Sequence, residues 1–414
     1  MDNAKPFLVS KKVVWDSYKR IKANGGAYGV DNQSMKDFEK DLKNNLYKIW
    51  NRMSSGSYFP MPVLRVDIPK EGNQTRPLGI PAITDRIAQM VAVMYLEPGC
   101  EPYFHPDSYG YRPHKSALDA VGKARQRCWR YDWVVDLDIK GFFDNIDHDL
   151  LMKAVERHTN RQWILLYMKR WLVAPIQMPD GSLVQKSVGT PQGGVASPLA
   201  ANLFLHYVFD VWMEKNFPSN PFERYADDAI VHCRSRKEAE DLLLAIKERF
   251  EDCKLELHPQ KTKIVYCKDA TRTEDFPVCE FDFLSYTFRA RSSRNRYGKL
   301  SMNFLPAISS KAKKKVFAEI RGWQLPRVTN VKIEFLSKRI NPVLRGWQNY
   351  YGKFYPSKMY LVYFHVNWML VKWARKRYKR FGGSYPDAMN WLGKIAKSNP
   401  DLFVHWRKVP PPWG

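Results

Sequence analysis

Cysteine is sparse and scattered in this chain. Cys100, Cys128, Cys233, Cys253, Cys267 and Cys279 form no Cys-x-x-Cys pair, which leaves neither a disulfide framework nor a zinc-ribbon pattern and points to free thiols in a reducing compartment. Long apolar runs are missing as well. The longest, Met359 to Val371, is interrupted by His365 and Asn367, whereas a membrane span needs roughly 20 apolar residues. Met1 is followed by Asp2, Lys5 and Pro6 rather than by a hydrophobic stretch, so no secretory signal is expected. Gly25-Gly26-Ala27-Tyr28-Gly29 lacks a following Gly-Lys-Ser/Thr and reads as a hinge, not a phosphate loop.

Acidic residues are nearly absent from the last third. Residues 291–414 hold 26 Lys and Arg against 4 Asp and Glu, a net +22, while residues 1–290 hold 41 against 38, a net +3. A near-neutral front and a very basic rear imply that the rear embraces a polyanion. Anionic lipid is the rival partner, but the Trp and Tyr interleaved with the cations suit nucleic acid. With 414 residues, 44% of them hydrophobic, the chain can bury the cores of two or three domains.

Hydrophobic periodicity predicts a basic amphipathic helix over 7–24 and a second over 34–53, capped by Asp31. Val63 to Lys70 alternates as a strand, turns at Glu71-Gly72-Asn73 and returns through Thr75 to Pro81, a hairpin carrying Lys70 and Arg76. Two such cations could grip a triphosphate, or simply be solvated. A helix is expected from Thr84 to Leu96, a turn at Tyr109-Gly110-Tyr111-Arg112-Pro113 and a helix over 116–127. In the strand Trp133 to Ile139, alternation puts Asp136 and Asp138 on one face, and carboxylates on an otherwise apolar strand are poorly explained by packing. Ser187 to Gly194 is a Gly/Pro loop, followed by a helix that opens at Pro198 and runs to about Lys215. Asp227 and Asp228 then sit at a turn between short strands. Adjacent carboxylates in an apolar setting repel one another unless a divalent cation neutralises them, and oxygen ligands suit Mg²⁺ or Mn²⁺. On its own the pair reads as an ordinary turn.

Seven blocks, taken in order, resemble the group II intron-encoded reverse transcriptases, or maturases: Val66–Pro81, Tyr109–Pro113, Val134–Asp144, Gly189–Asn202, Tyr225–Asp228, Leu257–Thr262 and Phe283–Phe288. Behind them, Lys338 to Tyr351 is similar to the family's thumb, or maturase-specific, region. The resemblance implies an α+β right-hand polymerase, fingers and palm with an antiparallel sheet, plus a helical thumb. The expected divisions are an N-terminal extension (1–57), fingers and palm (58–290) and a basic RNA-binding thumb (291–414).

It also implies residue roles. Asp138, Asp227 and Asp228, with the backbone carbonyl of Ile139, would hold two Mg²⁺ ions, Mn²⁺ being the alternative. Lys70 and Arg76 would grip the triphosphate, Gln192 would lie beside the incoming nucleotide, and Phe143 would block a ribonucleotide's 2′-hydroxyl. Phe143 on spacing alone reads equally as core. Lys261 would donate a proton to pyrophosphate, and Arg112 would support the template. Ser285 stands where the family commonly has Gly. Arg345, Lys372, Arg375, Lys376, Arg377, Lys379 and Arg380 are the expected RNA contacts, on helices with cations on one side and Trp, Tyr and Leu on the other.

The expected function is therefore an RNA-directed DNA polymerase of the bacterial cytosol or nucleoid. It would extend a DNA or RNA primer with dNTPs on intron RNA and bind that RNA to assist splicing and mobility. No Cys/His cluster of the endonuclease type follows the thumb, so no DNA-cleaving domain is expected, and insertion would prime from nascent strands at a replication fork. Two alternatives stay open: an intron-free reverse transcriptase serving host repair or defence, and a splicing-only RNA-binding maturase, against which the complete carboxylate set argues.

Overall fold

The structure is a computed structural model that describes residues 5–69, 75–294, 298–381 and 383–411. It divides into two compact units. The first comprises Met1–Ser116, Val135–Val231 and Arg236–Lys263, and the second Ala117–Val134, His232–Ser235 and Ile264–Gly414. Both mix helices with small sheets, as the α+β expectation requires.

The first unit opens with helices Lys11–Asn24, Met35–Lys40 and Leu42–Ser55. The helix expected over 34–53 is two helices, broken at Asp41, whose φ of −129° is not helical. Its cap is Ser34 rather than Asp31. Ser34 Oγ accepts from Asp37 N at 3.2 Å while the Asp37 carboxylate accepts from Ser34 N at 3.3 Å, a reciprocal box that satisfies two orphan donors. Asp31 instead accepts from Gln33 N at 3.2 Å, the local turn that Asx residues favour.

Seven strands follow in this unit or at its edge: β1 (Val63–Pro69), β2 (Thr75–Ile80), β3 (Trp133–Leu137), β4 (Ile176–Gln177), β5 (Leu183–Val184), β6 (Phe222–Tyr225) and β7 (Asp228–Cys233). One sheet has the order β2-β1-β4-β5, with Ile68 opposite Arg76 in the antiparallel β1–β2 hairpin. Lys70 lies outside the described residues. In a second sheet β7 lies between β6 and β3. β6 and β7 are antiparallel with Tyr225 opposite Asp228, so Ala226 and Asp227 alone make the turn. Around the sheets pack helices Ile83–Cys100, His148–Glu156, Gln162–Leu172, Ser197–Leu205 and Arg236–Asp252, whose buried faces include Ile87, Val91, Leu151, Val155, Ile164, Leu203, Phe204 and Ile246.

The helix expected to run from Pro198 to Lys215 is interrupted. A π-helical turn over His206–Asp210 separates Ser197–Leu205 from Val211–Asn216, and such turns re-aim side chains relative to a regular helix. Asp210, at its end, is completely buried.

In the second unit, β8 (Lys263–Tyr266) precedes an antiparallel sheet of order β11-β10-β9, made of β9 (Glu280–Phe283), β10 (Tyr286–Arg294) and β11 (Leu300–Ile308). Leu284 and Ser285 form the two-residue turn between β9 and β10 with φ of 50° and 68°. A two-residue hairpin with both central residues in the left-handed region is a type I′ turn. Ser285 thus adopts the backbone that glycine would take freely, at a cost of about 1 kcal/mol.

Helices Ser310–Gly322, Ile333–Tyr351, Tyr360–Arg377 and Tyr385–Ser398 enclose a core of Val316, Ile320, Leu336, Ile340, Leu344, Val366, Leu370, Trp373 and Leu392. Asn341 fastens the tail to this core, donating to Leu402 O at 2.9 Å and accepting from Val404 N at 3.1 Å. Among the described residues no helix is long and apolar enough to cross a membrane.

Candidate functional site

β3 ends at Leu137 and delivers Asp138, and the β6–β7 turn delivers Asp227 and Asp228. All three carboxylates line one cleft of about 290 Å³ within the first unit, together with Arg76, Ile139, Phe143, Gln192 and Lys261. These eight expected residues, distant in sequence, therefore share one space. Asp136 is not among its lining residues and lies 3.8 Å from Lys263, so the strand alternation that paired it with Asp138 does not make it part of the site.

The turn carrying the aspartates is held from beneath. Arg224, 1% exposed, donates through Nε and one terminal nitrogen to the two carboxylate oxygens of Asp210, each at 2.6 Å. Its other terminal nitrogen donates to Asn202 Oδ1 at 3.1 Å and to Ala226 O at 3.0 Å. Ala226 has φ of 57°, a conformation unfavourable for a residue with a Cβ, and the bond from Arg224 helps fix it. Asn202 Nδ2 in turn donates to Gly110 O at 2.6 Å. A Cβ at Gly110 would lie 2.4 Å from Ala226 N, so only glycine lets the Tyr109–Pro113 loop approach this turn.

The carboxylates lack full compensation. Burial raises the Asp227 pKa, Arg76 and Arg224 oppose the rise, and Asp138 adds to it. Asp228 lines the cleft and has an exposed surface, yet protein atoms crowd it. Loss of water, then Asp227 and Asp138, push it up to about 6. Among the described residues no three His, Cys, Asp or Glu side chains form a ready-made metal cage. The donor set nonetheless fits a hard divalent cation, being all oxygen and short of positive charge.

Three cations line the cleft, Arg76, Lys140 and Lys261. Lys261 Nζ lies 3.4 Å from Asp138 Oδ1, and Arg76 Nε donates to Gln192 Oε1 at 2.6 Å. The same loop is bound to β2 by Gly79 N, which donates to Gln192 O at 2.8 Å. Phe143 is 7% exposed and meets Phe142 edge to face with ring centres 5.3 Å apart, so it is both core and cleft wall.

Arg112 is used internally. Its side chain is 6% exposed and donates to Glu101 at 2.7 Å and to the carbonyls of His105 and Ser108, each at 2.7 Å. Arg345 and the basic run lie in the second unit. There Lys376, Lys379, Arg380 and Arg345 are exposed, whereas Lys372, Arg375 and Arg377 are half-buried. Arg375 lies 3.8 Å from the centre of the Tyr385 ring, and Lys372 lies 5.7 Å from that of Trp368. The expected separation of cations from aromatics therefore fails on helix Tyr360–Arg377. It is buried on most sides, with cations stacked on rings and Leu361 and Phe364 left exposed.

Several residues of the site were given no role by the motifs, although all but Asp210 lie within the matched blocks. Asp210 and Asn202 look like ordinary helix polar residues in sequence. His258 and Thr262 flank Lys261 and bind the backbone of Asp138: His258 N donates to Asp138 O at 2.7 Å, and Asp138 N donates to Thr262 Oγ1 at 3.3 Å. Tyr111 lies within the electrostatic reach of Asp227 and Asp228. The signal for Asp210 was its charge on an apolar helix face, which only a buried partner explains.

Comparison with known proteins gives the same direction. Residues 68–297 match the family described as "Reverse transcriptase (RNA-dependent DNA polymerase)", and residues 313–389 match "Group II intron, maturase-specific domain". Protein YkfC of Escherichia coli is 31% identical over 66% of this chain and 78% of its own length. The group II intron-encoded protein LtrA of Lactococcus lactis is 26% identical over 84% of this chain and 69% of its own. An uncharacterized 91 kDa protein in the cob intron of Schizosaccharomyces pombe is 28% identical over 49% of this chain and 25% of its own. With its carboxylates gathered in one cleft and both domains matched in order, this chain belongs to the reverse transcriptase (RNA-dependent DNA polymerase) family of group II intron type.

Proposed function

We propose that the chain copies intron RNA into DNA by two-metal nucleotidyl transfer, with a right-hand arrangement of fingers and palm over 58–290 and a thumb over 291–414, and that it binds the same RNA to assist splicing and mobility. The observation that carries this reading is the convergence of Asp138, Asp227 and Asp228 with Arg76 and Gln192 on one cleft. Two bound Mg²⁺ or Mn²⁺ ions would activate the primer 3′-hydroxyl and stabilise the leaving pyrophosphate. Asp138, Asp227 and Asp228 would hold them, with the carbonyl of Ile139.

Arg76 would turn from Gln192 to the triphosphate oxygens, for which its forked donors are suited. Gln192, fixed through its backbone to β2, would orient the nucleotide. Phe143 would present its ring edge where the sugar's 2′ position lies. The test is extension of a primer on an RNA template with Mg²⁺. Wild-type protein incorporates dNTPs, and Phe143→Ala gains incorporation of ribonucleotides; an unaltered sugar preference removes Phe143 from this role, and no RNA-templated product defeats the reading.

Grip on RNA is supported by both ends of the chain. In the first unit a groove of about 860 Å³ is lined by Trp15, Tyr47, Trp50, Lys11, Lys12 and Lys43, and the ammonium groups of Lys5 and Lys11 lie 3.6 and 4.2 Å from the Trp50 ring centre. Aromatic faces ringed by cations suit unpaired bases on a phosphate backbone. In the second unit Lys376, Lys379 and Arg380 are exposed. Each phosphate contact on a single strand adds about −0.7 to the log-log salt slope. Replacing these three by alanine is therefore expected to flatten the slope of RNA affinity by about 2, and an unchanged slope in a salt titration would remove them from the RNA contacts.

A further inference from the structure

We propose that Lys261 is a resident counter-ion for Asp138, occupying the carboxylate until a divalent cation displaces it, so that cation binding and release of the Lys261 side chain are one linked event. The inference rests on the reading of the cleft as a metal site.

The turn that carries Lys261 is joined to the backbone of Asp138. His258 N donates to Asp138 O at 2.7 Å. Thr262 Oγ1 accepts from Asp138 N at 3.3 Å and lies 3.4 Å from Asp138 O. Thr262 N donates to His258 O at 3.0 Å, closing the turn, and the neighbouring residues continue the attachment through the Ile139–Leu257 bridge and Lys140 N to Glu256 O at 2.8 Å. The main chains of ligand and lysine are thus fixed relative to each other. What remains free is the lysine's four-carbon stem, with the side chain 53% exposed and that of Asp138 36% exposed.

Charge decides the rest. Arg76 and Arg224 only partly offset the burial of Asp227, and Lys261 Nζ stands 3.4 Å from Asp138 Oδ1. An ammonium and a dication cannot both occupy that oxygen, because the two cations would repel at contact distance. A cation arriving at Asp138 must therefore break the ion pair, and the released ammonium stays tethered beside the cleft, where an anionic leaving group would next appear. By linkage, whatever holds Lys261 on Asp138 weakens cation binding by the same factor.

Mn²⁺ binding is measured without nucleotide or primer, by the electron paramagnetic resonance signal of free Mn²⁺. Lys261→Gln is expected to tighten binding about fivefold at low salt, the upper range for a half-exposed ion pair, and the gain should shrink as salt rises. Lys261→Arg, which keeps the charge, should remain near wild type. Equal or weaker binding by Lys261→Gln overturns the proposal. Asp227→Asn separates the two ideas. If it loses Mn²⁺ while Lys261→Gln gains nothing, only the counter-ion role fails; if it binds as wild type does, the metal reading of the cleft falls, and this inference with it.

Discussion

Asp227→Asn is expected to lower primer extension on an RNA template by about 10³-fold or more, since a ligand that stabilises transition-state charge through a metal is worth several kcal/mol. The substitution keeps the size and shape of the side chain, so Ala226 retains its bond from Arg224 and the β6–β7 register of Tyr225 with Asp228 is undisturbed. It removes one of the charges that raise the pKa of Asp228. Since the folded-state pKa of Asp227 is itself raised, its ionised form destabilises the metal-free protein above that pKa, and the variant should melt no lower than wild type at neutral pH. Single-turnover extension and a thermal melt on the same preparation separate the two effects. A loss of activity smaller than tenfold would sink the assignment of Asp227 as a metal ligand; a large loss accompanied by a lowered melting temperature would point to damaged folding.

Much of this site was legible because its parts are local patterns. The hairpin carrying Arg76, the strand ending near Asp138 and the short strands flanking Asp227 are signalled by alternation and turn residues within a few positions, and all are found. What sequence patterns could not supply was depth. Alternation placed Asp136 beside Asp138, but β3 ends at Leu137, so beyond that point the period-2 rule no longer governs the side chains. Arg112 was expected to support the template, and only the packed loop shows its guanidinium committed to Glu101 and two carbonyls. The division of the 34–53 helix at Asp41 and the π-helical turn at His206–Asp210 are tertiary choices, and at the π-helical turn a break in regular hydrogen bonding goes with a side chain committed to a buried partner. The fully buried Asp210 is the clearest instance, for its partner Arg224 lies beyond the end of the helix.

That pair carries the largest expected effect on stability. Asp210→Ala leaves Arg224, 1% exposed, buried without its carboxylate, and breaking a buried ion pair by removing one partner costs about 3–5 kcal/mol, a large share of a domain's net stability. Burial alone would raise the Asp210 pKa, yet Arg224 outweighs it and the carboxyl stays below its ordinary value. A depressed carboxylate pKa gives stability that is present above the unfolded value and lost as pH falls through the folded one. The wild-type advantage over Asp210→Ala, read from urea unfolding, should therefore be full at pH 7 and shrink in acid. Replacing both partners, Asp210→Leu with Arg224→Met, separates support of the fold from support of the turn. Apolar residues of similar volume can recover the stability that one-sided removal forfeits, but nothing then donates from position 224 to Ala226 O, whose left-handed residue positions Asp227. The double variant should fold nearly as well as wild type and still extend primers at least about tenfold more slowly, the loss of one charge-assisted hydrogen bond of about 1.5 kcal/mol. Full activity in a stable double variant would show that the turn holds its shape without Arg224, and would confine the buried pair to holding the fold.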